Sequence, residues 1–302
     1  VTARDPLPRP HGRIERLAII GVGLIGGSLA AALREAGAVE TVIGVGRSQA
    51  TLDEAIRLGL IDHGFTDAAT GVRAADVVVL AMPVGQTARM LAAISSSVGP
   101  ATIVTDAGST KSDVVTAARE NFAPHIARFV PAHPIAGDEK SGPGAARPDL
   151  YRGRNVVTTP LAETDPLAVE RVEAMWRAAG AVIHRMTPQQ HDDVFATVSH
   201  LPHLLAFALV AQVARDPDHE RLFSYAASGF RDFTRIAGSH PEMWRDIALA
   251  NHEALLNRLD GYTGQLARLR AALVAGDGEA LQQTFALARQ ALTEWRQRSG
   301  RG

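Results

Sequence analysis

Three polar stretches interrupt apolar surroundings with residue types suited to moving protons and holding anions. Asp106-Ala107-Gly108-Ser109-Thr110-Lys111 gathers a carboxylate, two hydroxyls and an ammonium. His133-Pro134-Ile135-Ala136-Gly137-Asp138-Glu139-Lys140-Ser141-Gly142 sets an imidazole ahead of two acids and a lysine. The third is discontinuous: His191-Asp192-Asp193, Ser199-His200-Leu201-Pro202-His203 and Arg231-Asp232-Phe233-Thr234-Arg235. Imidazole is the side chain best matched to general-base work at neutral pH, and the guanidinium fork to holding a carboxylate. Plainer readings stand beside these: Ser109 or Thr110 can cap a helix, a lone histidine after a strand is more often structural, and a tryptophan such as Trp244 more often belongs to a core. His191, Ser199 and His203 share one helical face if the helix survives Pro202. Such spacing also suits a metal, but no further ligands can be assigned, so an anion-binding face is expected and no metal.

The loop Gly21-Val22-Gly23-Leu24-Ile25-Gly26 follows an apolar run and opens an alanine- and leucine-rich segment. A G-x-G-x-x-G loop between strand and helix cradles a dinucleotide. Gly21 permits the tight turn, Gly23 lets pyrophosphate approach the backbone, and Gly26 lets the helix pack on the strand, while the helix N-terminus offers free N–H groups and a positive dipole end. A glycine-rich turn that binds nothing, or a fold holding another nucleotide, is the alternative. The second apolar run ends in Gly46-Arg47-Ser48, with no acid where one ordinarily takes the ribose 2′-hydroxyl. Arg47 and Ser48 suit a 2′-phosphate, and an arginine stacked on adenine suits NAD, so NAD or NADP is expected with the choice open. Leu24, Ile25 and Pro83 complete the expected cofactor-binding set.

Positioning these groups requires strands that end beneath them. Residues 16–20, 41–45, 76–81, 102–106, 127–131, 155–159 and 181–185 read as strands, and 26–36 (closed by Gly37) and 168–179 as helices. This alternation predicts an α/β fold, a Rossmann-type doubly wound, mostly parallel sheet, with ligands at the carboxyl ends of its strands. Beyond Met186, segments 189–213, 241–258 and 279–296 repeat apolar residues at helical spacing, so an all-α helical domain is expected to follow. Thr187-Pro188 is its start signal. The expected organisation is a loose tail over 1–13, a dinucleotide-binding domain over 14–186 and a helical domain over 187–302.

Thirty-one basic and 32 acidic side chains leave a net charge of -1, too little field to hold a nucleic acid or an anionic membrane. Small molecules and further copies of the chain are the expected partners. The absence of cysteine excludes disulfides, zinc–thiolate sites and thiol catalysis. Residues 1–12 carry three prolines and no apolar run, unlike a signal peptide, and no stretch is expected to approach the ~20 apolar residues of a membrane span. A cytoplasmic location is expected.

In order along the chain, GVGLIGGSLA, TDAGSTK, HPIAGDEKSG, HDDVFATVSHLPH and GFRDFTRIAGSHPEMW resemble the prephenate/arogenate dehydrogenase family of tyrosine biosynthesis. The resemblance runs from about Ile14 to beyond Trp244. It implies a cyclohexadienyl substrate with a 4-hydroxyl and a ring carboxylate, from which hydride leaves C4 as CO₂ departs. It implies His133 as acceptor of the hydroxyl proton, Ser109 hydrogen-bonded to the same oxygen and to the histidine, and Asp106 or backbone groups orienting the ring. Arg235 is the implied carboxylate partner, with Ser199 and His203 completing the pocket and His191, Arg231 and Trp244 nearby. His133 must then be neutral. Aromatisation drives decarboxylation, so the protein's task is orientation and charge neutralisation. Asp138 and Glu139 suit the ammonium of arogenate, or form a solvated loop or a link to Arg235; prephenate is the expected substrate and arogenate the alternative. The helical domain is implied to bind substrate and, carrying more apolar stripes than one bundle needs, to form a symmetric homodimer. No appended sensing domain is expected before Gly302, which confines any feedback by tyrosine to the active site or the dimer interface. Another two-domain dehydrogenase acting on a hydroxy or imino acid, or a catalytically silent nucleotide sensor, would share the glycine loop.

Overall fold

The computed structural model describes residues 13–138 and 140–298, so nearly all of the expected tail, and Glu139, lie outside the described residues. Six parallel strands, β1 (Ile14–Ile20), β2 (Val39–Val45), β3 (His63–Phe65), β4 (Val77–Leu80), β5 (Ile103–Asp106) and β6 (Phe129–Val130), pair in the order β3-β2-β1-β4-β5-β6. Leu17 and Ile19 of β1 join one core with Leu29, Leu33, Val42 and Trp176, and Ala18 and Ile20 join the other with Val78, Leu80 and Phe122. Burial on both faces is why these strands read as nearly continuous apolar runs. The expected doubly wound sheet and the helical segment after it are both present. β3 falls outside the expected strands because three residues including His63 and Gly64 carry no periodic signal.

The expected strand over 127–131 divides. Pro131 has no N–H with which to continue a ladder, and after β6 the chain enters a second sheet of β7 (Ala132–Pro134), β8 (Asn155–Thr158) and β9 (Val182–Arg185), ordered β7-β8-β9. β7 runs antiparallel to β8 with His133 opposite Val157. His133 is therefore a strand residue, and the pairing of Ala132 and Pro134 with Thr158 and Val156 fixes the backbone before and after it.

The helix Leu24–Glu35 ends as expected at Gly37 (φ 63°), where the N–H groups of Gly37 and Ala38 reach the Arg34 and Leu33 carbonyls. Thr187 and Gln190 form a reciprocal cap on Pro188–Phe195. That helix survives Pro202 by widening: a π turn, Ala196–His200, leads into Leu201–Ala214, and the Leu201 N–H reaches back to the Ala196 carbonyl. The extra residue absorbs the clash and the missing donor that proline brings. The continuous helix Pro188–Ala214 is long and apolar enough, by length and composition, to cross a membrane, which corrects the expectation that no stretch approaches that length; Ser199, His200, Pro202 and His203 interrupt its apolar run. The expected helix over 241–258 divides at Asn251 into Pro241–Ala250 and His252–Ala275.

Two compact units divide between His252 and Glu253. The first holds both sheets and the helices as far as Pro241–Ala250. In the second, the helix His252–Ala275 turns at Gly276 (φ 65°) into Gly278–Arg298, and this hairpin exposes Leu273, Val274, Phe285, Leu287 and Trp295.

Candidate active site

The glycine loop has the shape its spacing predicts. Gly21 sits at φ 100°, and a Cβ there would strike the Ala81 carbonyl; a Cβ on Gly26 would strike the Gly21 carbonyl and Ile19. A Cβ on Gly23 would meet nothing within 4 Å, so the space before the first turn of Leu24–Glu35 is open where its free N–H groups point. These residues fit a dinucleotide pyrophosphate. Ile25, Arg47 and Pro83 line a cleft of about 670 Å³ that extends to Ser109. Leu24 is buried beneath the loop. Ser48, beside Arg47 at the end of β2, is exposed; its hydroxyl accepts from the Thr51 N–H at 3.4 Å and caps Gln49–Arg57, which leaves its O–H free to donate.

Ser109 stands on the loop after β5, half-buried on the cleft wall. Asp106, at the end of β5, is buried, accepting from the Gly108 N–H at 2.8 Å and from Lys111 Nζ through one oxygen and from the Ala132 N–H at 3.0 Å through the other. It cannot orient a substrate ring as expected. It clasps the Ser109 loop to β7 instead. Neither Ser109 nor Thr110 caps the helix Ser112–Asn121: the Lys111 and Ser112 N–H groups both donate to Asp192, each at 2.8 Å.

Asp192 orders the histidines. Its Oδ1 lies 2.8 Å from His191 Nδ1, and His191 Nε2 lies 2.8 Å from His133 Nδ1. A carboxylate only accepts, so His191 donates through Nδ1 and keeps a lone pair on Nε2; His133 donates to that lone pair and keeps its own on Nε2. Burial, then the nearby His191, Lys111 and His200, hold His133 well below the usual histidine range, although part of its surface remains accessible. Burial lowers His191 as well. For Asp192 burial pushes upward, but the hydrogen bonds from His191, Ser112 and Lys111 outweigh it and keep the carboxyl below its usual range. Phe195 closes the site, its ring centre 4.9 Å from His133 and 4.5 Å from His191. His191 is fully buried, which corrects its expected contact with substrate: both ring nitrogens are taken up, one by Asp192 and one by His133.

On the helical side, the half-buried His203 stacks on Trp244 with ring centres 3.6 Å apart, and its Nδ1 donates to the Ser199 carbonyl at 2.9 Å. Burial, together with the charge of Arg235, lowers His203. Arg235 is exposed on the turn Arg235–Gly238, and Arg231 is exposed one turn earlier, donating to the Ala226 carbonyl at 3.3 Å. Ser199, His203, Arg235 and Trp244 thus form one group. Asn251 ties His200 to the histidine chain, its Nδ2 lying 2.9 Å from the Asp192 carbonyl and 3.1 Å from His200 Nδ1. Asp138 pairs with Arg147 at 2.9 Å, within its own loop. Lys111, Asp192, His200 and Asn251 are structural partners that the sequence reading did not assign. The first three lie in stretches it singled out; Asn251, inside an apolar helical pattern, gave no signal.

The family profile described as prephenate dehydrogenase, nucleotide-binding domain, matches residues 29–185, and that described as prephenate dehydrogenase, dimerization domain, matches residues 187–287. The chain belongs to the prephenate dehydrogenase family. A cyclohexadienyl dehydrogenase of Zymomonas mobilis is 37% identical over 273 residues, covering 90% of this chain and 92% of the relative. A prephenate dehydrogenase of Bacillus subtilis is 36% identical, covering 91% of this chain and 74% of the relative. The crystal structure of prephenate dehydrogenase from A. aeolicus in complex with hydroxyphenyl propionate and NAD+ superposes with a TM-score of 0.88 at 35% identity, covering 94% of this chain and 99% of that one. The chain is accordingly a nicotinamide-dependent oxidoreductase with a small-molecule substrate.

Proposed function

We propose that the chain catalyses the oxidative decarboxylation of prephenate to 4-hydroxyphenylpyruvate with NAD or NADP. The observation that carries this reading is the neutral His133 at the end of the chain Asp192–His191–His133, clasped by Asp106 to the loop that holds Ser109 on the cofactor cleft. The bound dinucleotide supplies the hydride acceptor. His133 Nε2 takes the 4-hydroxyl proton as C4 becomes a carbonyl, and His191 and Asp192 stabilise the imidazolium. Ser109 hydrogen-bonds the same substrate oxygen. Arg235 holds a substrate carboxylate, with Arg231 adding positive charge and His203, Ser199 and Trp244 walling the ring. As the ring carboxylate leaves as CO₂, its electron pair aromatises the ring and the proton returns from His133 to the phenolic oxygen; one hydride leaves and no net proton is released. Asp138, one of the two carboxylates suited to the ammonium of arogenate, is paired with Arg147, which supports prephenate over arogenate.

In this reading residues 14–186 bind the dinucleotide, and 187–302 bind substrate and join two copies into a homodimer in the cytoplasm, where the dinucleotide pool lies. The apolar, largely uncovered helix Leu201–Ala214 supports the dimer.

Purified protein given prephenate and NAD or NADP should release CO₂ in step with the near-ultraviolet absorbance of reduced nicotinamide. His133→Asn should lose about 10²- to 10⁴-fold in kcat while keeping its cofactor Kd, and Arg235→Ala should chiefly raise KM. Turnover of arogenate alone would move the substrate assignment; cofactor binding with turnover of neither would overturn the enzymatic reading.

A further inference from the structure

The cofactor cleft has a second wall that the nucleotide fold does not supply. Opposite Ile25 and Pro83 it is lined by Arg245 and Asp246 of the helix Pro241–Ala250, which packs on the turn Val84–Gln86 directly after β4. Asp246 comes closest: a Cβ on Gly85 would stand 2.9 Å from its Oδ2, so the glycine is what admits the carboxylate to the turn. The Asp246 side chain is only 20% exposed. Its Oδ1 accepts from Arg245 Nε at 2.9 Å and Nη2 at 2.7 Å, which leaves Oδ2 as the oxygen turned toward the turn.

This chemistry fits one part of a dinucleotide. At the end of β2, where an acid ordinarily accepts from the adenosine ribose, the chain has Arg47. Gly85 lies across the β1–β4 switch point from Arg47, on the side where this fold places the nicotinamide half. A carboxylate there accepts from a ribose diol but would repel phosphate, and Arg245 cancels its charge so that the pair adds no net repulsion to a cleft that takes a pyrophosphate. We propose that Asp246, held by Arg245 and admitted by Gly85, accepts hydrogen bonds from the hydroxyls of the nicotinamide-side ribose, making the helix Pro241–Ala250 part of the cofactor site.

This rests on the chain binding a nicotinamide dinucleotide and is independent of which substrate is oxidised. Calorimetric titration of NAD into the full chain without substrate reads it directly. Asp246→Ala should raise the Kd for NAD about tenfold or more. Gly85→Ala, which displaces the carboxylate without removing it, should weaken binding in the same sense, and the double variant should be no weaker than Asp246→Ala alone. ADP, which keeps the adenosine and pyrophosphate but lacks the second ribose, should bind wild type and both variants alike, and that equality also shows the variants to be folded. A wild-type Kd for NAD in Asp246→Ala, or equal losses for NAD and ADP, would overturn the proposal. Failure of the wild-type chain to bind NAD would overturn it together with the cofactor assignment.

Discussion

Asp192 is a carboxylate surrounded by donors: the Lys111 and Ser112 N–H groups and His191 Nδ1 all lie 2.8 Å from its oxygens. It fixes the tautomer of His191 and, one ring further on, which nitrogen of His133 carries the lone pair. An amide of the same shape would turn an NH₂ toward one of those donors and lose the charge that stabilises the imidazolium. Asp192→Asn should therefore lower kcat by about 10²-fold or more with little change in KM or in the Kd for NAD. The pH profile separates positioning from mere structure. In the wild type the rate should rise with pH through an apparent pKa below the usual histidine value, because the proposed general base works only as the neutral ring, and then level off. In Asp192→Asn raising the pH should not restore the rate; a variant that recovers full activity at alkaline pH would reject this role. The glycines that shape the cofactor loop were legible because each meets a constraint set by its own backbone and nearest strand. Asp192 was not legible as a partner, since the N–H groups it satisfies lie 81 and 80 residues away in sequence.

The π turn Ala196–His200 is the element whose consequences the sequence concealed. Spacing counted from His191 predicts a plain α-helix through His203, but the wide turn inserts a residue into it. His191 is buried behind His133, while His203 meets Trp244. The strands β1, β2, β4 and β5 were legible because their apolar runs are local, whereas the break at Asn251 depends on partners that only the fold brings near. The same turn makes stability depend on pH. His200 is buried with Nδ1 facing the Asn251 amide, and burial lowers its pKa to about 4. In the unfolded chain the ring takes up its proton near ~6.5, so between that pH and about 4 the unfolded state holds a proton that the folded state refuses, and stability falls with falling pH. This one group contributes about 2 kcal/mol to the loss between pH ~7 and ~5. His133 and His191, also lowered, act in the same direction. Urea unfolding of His200→Gln should show lower stability at neutral pH but a slope against pH flatter by that amount; an unchanged slope would mean that His200 is not held neutral.

At the scale of the whole molecule the unbalanced feature is the helix Leu201–Ala214, apolar on all sides yet with only Leu201 and Ala206 buried. Leu204, Phe207, Ala208 and Ala211 recur at helical spacing along an open apolar groove that ends at Gln212 and Arg215. A lipid bilayer would also cover such a helix, but His191 and Asp192, in the first turns of the continuous helix Pro188–Ala214, are buried in hydrogen bonds to β7 and to the start of the Ser112–Asn121 helix, which anchors that end inside the protein fold. A second copy of the same stripe covers the groove without disturbing those bonds, and each large apolar side chain so buried contributes about 2 kcal/mol. Light scattering after size-exclusion chromatography should therefore give twice the chain mass. Phe207→Glu, which puts a charge in the centre of the stripe, should give a single-chain species at micromolar concentration. Its Kd for NAD should stay within about twofold of wild type, because Phe207 lies in the apolar groove and not in the lining of the cofactor cleft. A wild-type chain that runs at single-chain mass would leave the stripe unexplained by self-association, and a Phe207→Glu variant that remains a dimer would move the interface to another face of the molecule.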